Sequence, residues 1–122
     1  MPRKLAPPGD EPYCRVVWTG PTSYTQVGTT PVVNGAAPTN GDQVSAGALG
    51  VNAILYIEPA TSYTGNFMVV PIRMTESKWT LKWIALVTGS IDGQSQTLGT
   101  EAVSTSNLSG EYVKLTIHTL SA

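Results

Sequence analysis

Tyr112-Val113-Lys114-Leu115-Thr116-Ile117-His118-Thr119 alternates apolar and polar side chains without a break. Successive residues of a β-strand point to opposite faces, so Val113, Leu115 and Ile117 face a core while Lys114, Thr116 and His118 face outward. The alternation predicts a strand from Tyr112 to Thr119, with one wet face and one dry face. Trp79 to Thr88 reads as a second strand of the same kind, placing Trp79, Leu81, Trp83, Ala85 and Val87 together. It differs in that Ile84 and Leu86 make both faces apolar, so its centre calls for cover on both sides.

The other short apolar runs fit the same scheme, each bounded by Gly, Pro, Asn or Asp. Tyr13 to Thr19 is a strand stopped by Gly20-Pro21, and Phe67 to Arg73 is another. Val51 to Glu58 is a strand whose apolar face holds Val51, Ala53, Leu55 and Ile57, ended by Pro59 and a Thr61-Ser62-Tyr63-Thr64-Gly65 turn. Val27 to Val33 reads as a strand that Pro31, unable to donate to a ladder, confines to an edge or a bulge. Ser45 caps one helical turn that Gly50 ends. Two stretches read as polar loops: the region around Asn34-Gly35, Pro38 and Asn40-Gly41, and Gly89 to Gly99 with its Asp92-Gly93 dipeptide.

No long window keeps a helical period, so the fold class is all-β: an antiparallel β-sandwich or jelly roll of about six to eight short strands. The 122 residues suit one domain, 13–122, with an extended arm over residues 1–12. That arm holds Pro2, Pro7, Pro8 and Pro12, which remove backbone donors and favour polyproline-like extension.

Composition argues against chemistry. Only 12% of residues are charged, and one His (His118) and one Cys (Cys14) offer no pair for metal, nucleophilic or acid/base work. Cys14 lies in an apolar stretch and reads as a small buried hydrophobe rather than a reactive thiol. His118 reads as a solvated side chain. Glu101 and Glu111 bracket a turn and form the one acid pair worth naming against the roughly 5–10 Å spacing of glycosidase carboxylates. No cofactor is expected. A net charge of −1 with dispersed Lys and Arg gives no basic stripe, so nucleic acid is not an expected partner. The absence of an apolar run of roughly 20 residues excludes a spanning helix, and the start lacks the apolar stretch of a secretory signal. Asn107-Leu108-Ser109 fits the glycosylation sequon, read here as chance.

The arm carries its own argument. With little apolar surface it cannot offset its ordering entropy against its own domain, but it can against a partner. Arg3 and Lys4 supply charge, Leu5 an apolar anchor, and Pro7, Pro8 and Pro12 a stiff spine.

One resemblance joins these readings. Gly41-Asp42-Gln43-Val44-Ser45-Ala46 with Leu49-Gly50, then Tyr56-Ile57-Glu58-Pro59, Glu101-Ala102, Leu108-Ser109-Gly110 and Val113-Lys114-Leu115 resembles the small capsid decoration, or cement, proteins of tailed bacteriophages. The similar stretch runs from Gly41 to His118; the arm and the Pro38 loop lie outside it. The resemblance implies a β-sandwich that oligomerises, often as a homotrimer, and binds the major capsid protein on the outer surface of the virion where capsomers meet. Arg3, Lys4, Leu5, Pro7 and Pro8 are then the expected docking residues. Val27, Val32 and Val33, on the expected edge, are the first candidates for the subunit contact. A second expectation, from a small sandwich with surface aromatics, is a carbohydrate-binding module or tail-associated lectin using Tyr24, Tyr63 and Trp18.

Overall fold

The computed structural model describes residues 13–28, 40–91 and 93–120. The described chain is all-β and sandwich-like. Its elements are β1 (Tyr13–Thr19), β2 (Asp42–Ser45), α1 (Ala46–Leu49), β3 (Ala53–Ile57), β4 (Ala60–Thr61), β5 (Phe67–Thr75), β6 (Lys78–Ala85), β7 (Gly89–Ile91), β8 (Gln94–Gln96) and β9 (Tyr112–Leu120). A three-stranded sheet has the order β1-β9-β3, a four-stranded sheet the order β2-β6-β5-β4, and β7-β8 is a separate hairpin. Every pairing is antiparallel. No helix among the described residues is long and apolar enough to cross a membrane.

The alternation that opens the sequence reading is realised in β9. Val113, Leu115 and Ile117 are buried, and they share one cluster with Phe67, Val69, Leu81, Trp83 and Ala85 of the four-stranded sheet. That shared cluster is what holds the two sheets together. At about 25 cal/mol per Å² of apolar surface removed from water, side chains of this size contribute on the order of 2 kcal/mol each, which makes the intersheet layer the main stabilising element. Phe67 meets Trp83 edge-on, with ring centroids 6.1 Å apart at 71°, an arrangement the ring quadrupoles favour.

A polar bridge crosses the same layer. The Asp42 Oδ2 atom of β2 accepts both the Trp18 indole N–H of β1 at 2.7 Å and the Trp83 indole N–H of β6 at 3.1 Å. Burial raises the Asp42 carboxyl above its ordinary value, and the two indole donors pull it back toward ionisation.

The capped turn stands as read. Ser45 Oγ accepts from the Ala48 N–H at 3.2 Å, and Gly50 ends α1 at φ 73°, the left-handed region where glycine has no Cβ penalty.

Four expectations are corrected. The apolar face assigned to the strand near Val51 is broken by a bulge between Ile54 and Tyr56, which turns Ile54 inward and leaves Leu55 56% exposed. Gly89 to Gly99 is no plain loop: β7 and β8 pair from Gly89 opposite Gln96 to Ile91 opposite Gln94. Residues 24–28 form no strand, so the edge strand expected from Val27 does not exist in its described part. With the hairpin and the two-residue β4 counted, the strands number nine among the described residues rather than six to eight.

In place of an edge strand, the chain from Tyr24 to Gly28 is held by Glu101. Its Oε2 accepts the Tyr24 hydroxyl and the Val27 N–H, each at 2.6 Å, and its Oε1 accepts the Gly28 N–H at 2.9 Å. The Tyr24 oxygen in turn accepts the Trp83 N–H at 3.1 Å, capping the edge of β6 beyond its pairing with β2. Burial, reinforced by Glu101, pushes the Tyr24 phenol far up, so it stays a neutral donor. The Gly41 N–H bonds the Thr25 carbonyl at 2.7 Å. Gly41 is obligatory there, since φ is +78° and a Cβ would lie 2.3 Å from Thr80 Oγ1.

Candidate binding face

Register places the outward residues of the three-stranded sheet in cross-strand rows. Arg15 is opposite Thr116, Val17 opposite Lys114, and Thr19 opposite Tyr112. On the other side of β9, Tyr56 is opposite His118. Exposed apolar side chains concentrate here: Val17 is 64% exposed, Tyr56 48%, Leu120 54% and Tyr63, on the turn alongside, 74%.

One end of the face is polar and paired. His118 Nε2 lies 2.8 Å from Glu58 Oε2, and the imidazole sits 6.0 Å from the Tyr56 ring. His118 is therefore solvent-exposed but paired; the carboxylate comes from sixty residues earlier in sequence, just past the end of β3.

The other end is aromatic. Tyr63 and Tyr112 stack at 5.1 Å between centroids and 15° between planes. With Ala60, Thr61 and Lys114 they line an open groove of about 340 Å³. A second groove of about 140 Å³, between β1 and β9, is lined by Arg15, Val16, Val17, Lys114, Leu115 and Thr116. Lys114 borders both.

The turn that carries Tyr63 is fixed from below. Glu111 is only 4% exposed; its carboxylate accepts the Thr64 hydroxyl and, at 3.4 Å, the Asn66 amide. Ser62 Oγ accepts the Phe67 N–H at 3.1 Å, and Tyr63 N–H bonds the Tyr112 carbonyl at 2.8 Å. The backbone under the exposed ring is thus pinned on both sides.

Glu101 and Glu111 serve different networks, Glu101 on the Tyr24–Gly28 segment and Glu111 beneath the Tyr63 turn. Neither is presented to a groove as a member of an acid pair. Among the described residues, no three His, Cys, Asp or Glu side chains gather as a metal ion requires. Of the aromatics expected to face a sugar, Tyr24 is 1% exposed and structural, and the Trp18 indole N–H is bound to Asp42; both are withdrawn from that role. Tyr63 alone keeps it. Val27, expected at a subunit contact, is 9% exposed and packed within its own chain. Val32 and Val33, and the arm residues Arg3, Lys4, Leu5, Pro7 and Pro8, lie outside the described residues.

Tyr112, Lys114 and Thr61 were not singled out from the sequence for this face. Lys114 was legible as outward from the alternation of β9, but its neighbours come from chain segments some fifty residues earlier, and no local pattern signals that pairing.

Compared with protein-family models, with curated proteins and with solved structures, the chain gave no match.

Proposed function

We propose that this chain is a structural protein of a tailed-phage head that binds the outside of the icosahedral capsid, as a homotrimer, and stabilises contacts between capsomers. The observation that carries the reading is the distribution of exposed apolar surface. Among the described residues, Val17, Leu55, Tyr56, Tyr63 and Leu120 belong to the three-stranded sheet or the turn beside it, with Leu98 the one exposed large apolar side chain elsewhere, a concentration of the kind that marks interaction surfaces. The carboxylates with the most elaborate surroundings, Asp42, Glu101 and Glu111, are occupied in holding strands and turns. That agrees with a protein acting by shape rather than by turnover.

A trimer repeats one modest contact three times, and linked contacts gain through effective concentration. The arm, through Arg3, Lys4, Leu5, Pro7 and Pro8, supplies the docking segment, and the major capsid protein is the partner.

The test is co-sedimentation of the purified chain, full-length and after deletion of residues 1–12, with shells assembled from the major capsid protein of a tailed phage. The full chain is expected to pellet with shells. The deletion is expected to weaken attachment at least tenfold, about 1.4 kcal/mol, and to leave the melting temperature of the domain unchanged. A full chain that stays in the supernatant overturns the proposal; equal attachment of both forms overturns the role of the arm.

A further inference from the structure

We infer that the groove formed by Tyr63, Tyr112, Thr61 and Lys114 binds a carboxylate-bearing sugar. This goes beyond the capsid reading and does not depend on it.

The first premise is preorganisation. Tyr63 is 74% exposed, yet its backbone N–H is bonded to Tyr112 and its turn rests on the buried Glu111 through Thr64 and Asn66. A side chain already held in its binding conformation loses little entropy when a ligand docks. The second premise is shape. Because Tyr63 and Tyr112 stack on each other at 5.1 Å, no gap remains between them for a planar base to enter. What they offer is one aromatic wall, the outer face of the exposed Tyr63 ring backed by Tyr112, with Thr61 in the same groove lining. A pyranose fits such a wall: its axial C–H face packs on the Tyr63 ring, while its hydroxyls find the Thr61 hydroxyl in the same groove. The groove, about 340 Å³, accommodates a small ligand.

The third premise is charge. Lys114 lines the groove, and among the described residues it makes no ion pair. Lys82, by contrast, spends its ammonium on the Gly28 carbonyl at 3.3 Å. An unpaired ammonium beside an aromatic wall favours a sugar carrying one carboxylate over a neutral one. A single cation on a chain of net charge −1 is a poor match for a polyphosphate.

The experiment is titration calorimetry of the full chain with oligosaccharides containing glucuronate, galacturonate or N-acetylneuraminate. Neutral oligosaccharides of equal length and a nucleoside monophosphate serve as comparison ligands. At least one acidic oligosaccharide is expected to bind with a Kd of about 1 mM or tighter, and its neutral counterpart about tenfold more weakly. Tyr63→Ala is expected to weaken the acidic ligand at least tenfold, Tyr63→Phe by less than about threefold, and Lys114→Gln to remove the preference for the acid while sparing the neutral ligand. Circular dichroism melts confirm that each variant is folded. No binding across the acidic panel, equal binding of acid and neutral ligands, stronger binding of the nucleotide, or full binding by folded Tyr63→Ala would each overturn the assignment.

Discussion

The outer faces of the two sheets have opposite fates. On the four-stranded sheet, Thr80 is buried with its hydroxyl on the Asn40 carbonyl, Lys82 reaches the Gly28 carbonyl, and Ile84 bridges Glu101. Met68, Val70, Ile72 and Ile84, which point the same way, are all half-buried. On the three-stranded sheet, Val17, Tyr56 and Leu120 remain about half exposed or more. The chain thus covers one face with its own loops and leaves the other open. The difference locates stability on the covered side, and the proposed docking falls on the open side. Breaking contacts on the first should unfold the protein, and breaking them on the second should not.

The largest expected effect follows from Glu101. Its replacement by Ala removes three acceptor contacts at once and strands the buried Tyr24 hydroxyl and the N–H groups of Val27 and Gly28. Buried donors left without a partner cost roughly 1–3 kcal/mol each before relaxation or water offsets part of it. Glu101→Ala should therefore destabilise by about 2–4 kcal/mol, lowering the melting temperature by roughly 8–15 °C. Glu101→Gln, which keeps one carboxyl-derived acceptor, should recover part of the loss. A melt within 2 °C, roughly, of the parent would show that the 24–28 segment is not what secures the covered face.

How far all this was legible in the sequence depends on range. Tyr13–Thr19, the Ser45-to-Gly50 turn and β9 were readable because alternation, caps and Gly-Pro punctuation act over a few residues. The bulge at Leu55 was not, since an extra residue in a strand leaves no mark when the apolar run continues through it. The β7-β8 hairpin was hidden for the opposite reason: only Ile91 in that pair is apolar, so hydrophobic pattern was silent and the Asp-Gly dipeptide stood alone. The site was less legible than the fold. Tyr63 and Lys114 could be named as turn and outward strand residues, but the Tyr63 stack on Tyr112 and the Glu58 pair with His118 join segments 49 and 60 residues apart. Such joins are settled only by strand register.

A smaller effect, readable through pH, concerns the bridge between the sheets. Asp42 has a raised folded-state pKa because burial penalises its charge. Between its ordinary value of 3.8 and that raised value, the folded state holds more proton than the unfolded one, so stability falls as pH rises through the window and levels off above it. Asp42→Asn keeps an oxygen for the indole N–H groups of Trp18 and Trp83 but cannot ionise. The melting temperature of the parent minus that of the variant should therefore decline as pH increases from about 3.8 and then become flat. A difference that rises with pH would reverse the sign and show that the two indole donors outweigh desolvation.

The smallest expected effect is the sharpest test of the contrast between the faces. Val17 and Leu120 are 64% and 54% exposed and point outward from the open sheet, so little apolar surface is lost to water when they become polar. Val17→Ser and Leu120→Ser should each shift stability by no more than about 0.5 kcal/mol, the ordinary range for surface changes, with Val17 at its upper end because serine is the poorer strand former. If that face docks, the same substitutions should weaken attachment to shells severalfold, since the apolar area they remove would have been buried in the complex. A pair of variants that unfold readily would mean that the face is covered in the native protein. A pair that neither unfold nor detach would leave the open face without a role in docking and shift the whole of that task to the arm.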